Sequence, residues 1–145
     1  IDFENLDAGK GYSAFKFYSQ SKYSNLLFGK RLDMLLKERG LLTKSIVCHP
    51  GVSATNLTSR GSGKPSPGII TWGFKIVGQP ASMGALPTLF AATEPSLNGG
   101  ELAGPDGWDN WRGYPAVSKE IDKLYDKSVA DKLWKVSEEI TGVEF

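Results

Sequence analysis

The sequence predicts an α/β layer fold built on a parallel sheet, of which this chain carries only a part. Two amphipathic helical segments and a shorter apolar one alternate with brief strand-like runs, the order that layers helices on a parallel sheet. Only two such runs are present, whereas a parallel sheet is covered on both faces and needs several strands. A length of 145 residues is that of one domain, read as 1–145 with a lid-like loop over 55–80.

The first helix is predicted over Ser19–Arg39. Leu26, Leu27, Leu32, Leu35 and Leu36 recur at helical spacing, with charged residues mostly on the other side, and Gly40 stands where a helix stops. Thr43–His49 is a β-branched run ended by Pro50–Gly51, which predicts a strand entering a turn. Arg60–Gly68 is rich in Gly, Ser and Pro, and Ile69–Val77 turns apolar. A long irregular insertion of that kind reads as a lid or binding loop.

Ser82 is the expected N-cap of a helix over Met83–Ala92, closed by Glu94–Pro95, with Pro87 near its first turn. Asn98–Gly99–Gly100 and Gly104–Pro105–Asp106–Gly107 read as turns around a short run, Glu101–Leu102–Ala103. The last helix is expected over about Ser118–Glu139 and stopped by Thr141–Gly142. No internal repeat is present, so solenoids and propellers are set aside.

Composition excludes several function classes. Hydrophobic residues at 40% and charged residues at 23% are ordinary for a globular protein, which excludes a disordered tail or a rod. Seventeen basic against sixteen acidic residues leave a net charge of +1, so nothing would draw a polyanion and nucleic acid is not an expected partner. No apolar run is long enough for a membrane span, and the first residues lack the pattern of a signal peptide. One Cys and one His, adjacent at Cys48–His49, are too few for a zinc site, and the lone Cys48 fits a reducing, cytoplasmic setting.

Tyr18 and Lys22 are four apart on the first helix and so project from one face. An ammonium near a phenol favours the phenolate, and such a tyrosine can pass a proton to or from a substrate oxygen. Lysine keeps spare donors for a second task, such as holding ribose hydroxyls. Spacing alone is weak: Tyr12 and Lys16 share it, and two exposed helical neighbours are the bland explanation.

The surrounding residues narrow the choice. Tyr18–Ser19–Gln20–Ser21–Lys22 opens a helix carrying Asn25–Leu26–Leu27–Phe28, and the strand after it ends His49–Pro50–Gly51, with Thr55 and Leu57 behind. Near the other end stand Gly104–Pro105–Asp106–Gly107, Arg112–Gly113–Tyr114–Pro115 and Leu133–Trp134 followed by Val136–Ser137–Glu138–Glu139. In these elements the chain resembles the short-chain dehydrogenase/reductase family, particularly its retinol-dehydrogenase-like and protochlorophyllide-reductase-like members, over essentially its whole length.

The resemblance implies the C-terminal part of a Rossmann-like doubly wound parallel sheet, incomplete in this chain. It implies an NAD(P)-dependent oxidoreductase that interconverts a carbonyl and an alcohol, with NADP or NAD as cofactor and NADP slightly favoured. Tyr18 would be the general acid/base. Lys22 would tune it and bind the nicotinamide ribose. Pro50, Gly51 and Val52 would set backbone groups against the nicotinamide carboxamide, with the Thr55 hydroxyl near the carboxamide or pyrophosphate. Trp72 and Phe74 would line a substrate pocket, although both read equally well as core. His49 belongs to the strand-end motif and reads as structural.

The family's glycine-rich turn, where a pyrophosphate meets a helix N-terminus, has no counterpart in the sequence. Its catalytic Ser lies well upstream of the Tyr, and only 17 residues precede Tyr18. The sequence therefore looks like the second half of such an enzyme, completed by an N-terminal half or by a homo-oligomer. The competing expectation is a non-catalytic interaction or oligomerisation module derived from one, since an unpaired sheet edge is a template for association.

Overall fold

The computed structural model describes residues 1–52 and 78–145. They fall into two compact units. One takes in residues 1–47, 98–100 and 120–145, and the other residues 48–97 and 101–119.

The first unit is helical. Helix α1 spans Ala14–Glu38, five residues earlier than its leucine pattern predicts, because Ser13 already stands in extended backbone as N-cap. Of the predicted stripe Leu26, Leu27 and Leu36 are buried and Leu32 and Leu35 half-buried, while Asp33, read with the charged side, is buried too. The Arg39 and Gly40 N–H groups donate back to Leu35 and Lys37, and Gly40 takes a φ of +67°. That is the left-handed stop a glycine adopts at little cost. Gly29 lets the end of the next extended segment come close, because a Cβ there would collide with the Val47 side chain.

The expected last helix is instead two, α3 at Glu120–Leu124 and α4 at Lys127–Thr141. The break is chemical. Asp126 leaves helical geometry and its carboxylate accepts the Ser128 and Val129 N–H groups, an N-cap in the middle of an apolar pattern that runs through it. Gly142 ends α4 at a φ of +69°. α4 packs on α1, with Ala130 buried and Trp134 stacked on Phe28, ring centroids 5.3 Å apart.

The second unit carries the sheet. Strand β1 is Val47–Cys48, shorter than the predicted Thr43–His49 run. Strands β2 (Leu102–Pro105) and β3 (Pro115–Ser118) follow, in the order β1–β2–β3. The sheet is mixed rather than wholly parallel: β2 and β3 are antiparallel, in the register Leu102↔Ser118 to Pro105↔Pro115. Proline ends both strands at that pairing, where the missing N–H groups stop the ladder.

Two expectations are corrected here. Gly104–Pro105 is strand, not turn, and every residue of β2 is buried. Helix α2 spans Ala81–Thr93 with Pro80, not Ser82, as N-cap, so Pro87 sits mid-helix rather than in the first turn. It is tolerated there as a fully buried packing residue. α2 packs on β2 and β3. No helix among the described residues is long and apolar enough to cross a membrane.

Candidate functional site

Tyr18 and Lys22 lie one turn apart on α1, both exposed, with the Lys22 Nζ 5.5 Å from the centre of the Tyr18 ring. A regular helix brings them together because positions four apart share a face. Ser21 Oγ donates to the Tyr18 carbonyl at 2.8 Å, a bond that leaves the phenol itself unengaged. Among the described residues neither the Tyr18 hydroxyl nor the Lys22 ammonium makes a hydrogen bond or ion pair. The face thus offers one phenolic O–H and one ammonium with three donors. Tyr12, the alternative of equal spacing, lies before α1 and its ring rests on Phe17, with centroids 5.2 Å apart.

In the second unit Pro50, Gly51 and Val52 form a tightly held turn. Gly51 has a φ of +63°, and a Cβ there would come within 2.7 Å of Pro105 Cγ and 2.9 Å of the Trp111 carbonyl carbon. Only glycine fits on both counts. The Gly51 N–H donates to His49 Nδ1 at 3.2 Å, and the Val52 N–H to the Trp111 carbonyl at 2.7 Å. Burial holds the His49 imidazole below its ordinary pKa of 6.5, and the bond from Gly51 requires an unprotonated Nδ1. The ring lies against Gly104, where an added Cβ would meet its Cδ2 at 2.7 Å. His49 therefore shapes the turn, the structural role its place in the motif implies.

Sequence reading overlooked Gln79. Its side chain is 5% exposed, its Nε2 donates to the Pro50 carbonyl at 3.0 Å, and its Oε1 accepts the Gly113 N–H at 3.1 Å. Its own N–H donates to the Val52 carbonyl at 2.9 Å. A glutamine ahead of Pro80 carries no motif, and its partners are 29 and 34 residues away, so no local signal reports it. Thr55, Trp72 and Phe74, and with them most of the predicted lid, lie outside the described residues.

The exposed O–H and ammonium on α1 are free hydrogen-bonding groups among the described residues, and in the second unit Pro50–Val52 is a glycine turn of fixed shape. Among the described residues no glycine-rich turn joins a strand to a helix N-terminus, so a pyrophosphate has no cradle there.

No family model matches the chain. Over 147 residues it is 29% identical to retinol dehydrogenase 14 of Mus musculus, covering 99% of this chain and 40% of that protein. It is 32% identical over 151 residues to retinol dehydrogenase 11 of Mus musculus, covering 99% of this chain and 42% of that protein. It is 31% identical over 137 residues to the chloroplastic short-chain dehydrogenase TIC 32 B of Brassica napus, covering 94% of this chain and 40% of that protein. The fold is similar to the crystal structure of an uncharacterized protein from Mycobacterium paratuberculosis, at a TM-score of 0.73 and 30% identity, covering all of this chain and 46% of that one.

Over nearly its whole length the chain is similar to the C-terminal part of short-chain dehydrogenases and retinol dehydrogenases. It spans about two fifths of the length of the curated relatives it matches.

Proposed function

We propose that this chain is the acid/base and nicotinamide-facing part of an NAD(P)-dependent oxidoreductase that interconverts a carbonyl and an alcohol. The observation that carries the proposal is the Tyr18–Lys22 pair on α1, exposed and without hydrogen-bond partners among the described residues. A bound nicotinamide would supply or accept the hydride at the reacting carbon. In reduction, the Tyr18 hydroxyl gives its proton to the substrate oxygen as the C=O π bond breaks; in oxidation it takes that proton back. Lys22, one turn away with its Nζ 5.5 Å from the Tyr18 ring centre, directs its donors to the ribose hydroxyls.

Pro50, Gly51 and Val52 present a rigid backbone edge to the carboxamide, with Thr55 following. Trp72 and Phe74 belong to the substrate-binding loop in this proposal. The glycine-rich pyrophosphate turn and the substrate-binding Ser come from another segment or chain. NADP is preferred to NAD on the family resemblance alone. The free Cys48 supports a reducing, cytoplasmic setting.

The second reading, an association module, draws on exposed aromatics near the start of α1. Phe15 is 83% exposed and Tyr12 72%. NADPH fluorescence titration of the 145-residue chain, alone and with a segment carrying the glycine-rich turn, separates the two. Saturable binding in the complemented sample is the expected result. Self-association without binding in either sample would favour the module.

A further inference from the structure

We infer that Gln79 is a positioning residue: its buried carboxamide locks the Pro50–Val52 turn in shape and so sets the backbone edge that meets the nicotinamide. The inference rests on the proposed reading of that turn as cofactor-facing.

Three bonds from one residue converge on the turn and the loop beside it. Nε2 reaches the Pro50 carbonyl, Oε1 the Gly113 N–H, and the main-chain N–H the Val52 carbonyl. The partners settle the orientation of the amide. The Pro50 carbonyl can only accept and the Gly113 N–H can only donate, so the NH2 must face the first and the oxygen the second. Flipping the amide would break both bonds.

No other side chain of this length serves. Ionised glutamate has no donor for Pro50, methionine has no donor and only a weak acceptor, and asparagine is shorter by a methylene. The far side of the turn is closed as firmly, because Val52 donates to Trp111 and Gly51 is packed against the same carbonyl. Loss of the Gln79 carboxamide would remove both of these part-buried bonds at once and untie the turn from the Gly113 loop.

The test uses Gln79→Met, which keeps the volume, and Gln79→Glu, which keeps the acceptor and remains available if the methionine variant does not fold. Amide hydrogen exchange at Gly51 and Val52 is read on the 145-residue chain. NADPH KM and kcat are read on the turnover-competent enzyme, with Tyr18→Phe beside them.

Exchange at both amides should quicken about tenfold or more, and KM for NADPH should rise about tenfold with kcat within about twofold of wild type. A kcat loss with KM unchanged would overturn the inference, because a positioning role for cofactor acts on binding. Unchanged exchange would also overturn it, because the turn would not depend on the carboxamide. Quickened exchange with unchanged KM, while Tyr18→Phe abolishes turnover, would overturn the link from turn to cofactor and leave the proposed function standing. Full turnover in Tyr18→Phe would instead remove the proposed function itself.

Discussion

His49 Nδ1 accepts the Gly51 N–H at 3.2 Å, so the one imidazole of the chain is tied, neutral, to a turn that requires a glycine. Protonation would put a hydrogen on the atom that now accepts one. The strand end and the Pro50–Val52 turn are thereby coupled through a single lone pair.

The coupling predicts a pH dependence. Burial lowers the folded-state pKa of His49 below 6.5, so the unfolded chain binds its proton more readily. The stability this contributes is fully present above pH 6.5 and is lost as pH falls through the depressed folded value. Because there is one histidine, the imidazole NMR signals titrate as a single set. They should show a midpoint below 6.5, and His49→Asn should flatten the pH dependence of urea midpoints across the same window.

Asp33 gives a second prediction. It is 1% exposed, pairs with Lys37 Nζ at 2.6 Å and accepts the Ser45 N–H at 3.1 Å. Gly99 lies hard against it, at a φ of +94°, with space for a Cβ already taken by the carboxylate. Asp33→Ala should cost about 3 kcal/mol, because the Ser45 N–H loses its partner and the Lys37 ammonium loses its counter-charge. Gly99→Ala should also destabilise, from strain and collision. Urea unfolding of both variants measures this.

The Asp126 cap gives a third. Hydrogen bonds from Ser128 and Val129 hold its carboxyl below the ordinary value of 3.8. Its contribution is therefore present above about pH 3.8 and lost as pH falls through the lower folded value. Asp126→Ala should lower Tm and shorten the helical signal of α4, while Asp126→Asn, which keeps an acceptor, should restore most of both.

How far the sequence foretells this structure depends on the range of the interaction involved. Helix α1 was legible because its leucines repeat over several turns, and its glycine stop is a local event at Gly40. Tyr18 and Lys22 were legible for the same reason, since a helix converts spacing into proximity. Strand β3 was not, because Pro115–Ser118 is short and exists by pairing with β2. The split between α3 and α4 was hidden because Asp126 interrupts the apolar pattern without changing its period. Gln79 was invisible because every partner of its side chain is far away in sequence.

The most direct measurement is single-turnover hydride transfer from NADPH to a small aldehyde by the assembled enzyme, comparing wild type with Tyr18→Phe. The account predicts that removing the one phenolic oxygen abolishes turnover, with the Phe variant still folded by circular dichroism and still binding NADPH. Full turnover in Tyr18→Phe would contradict it, because the proton would then be passing through some other group.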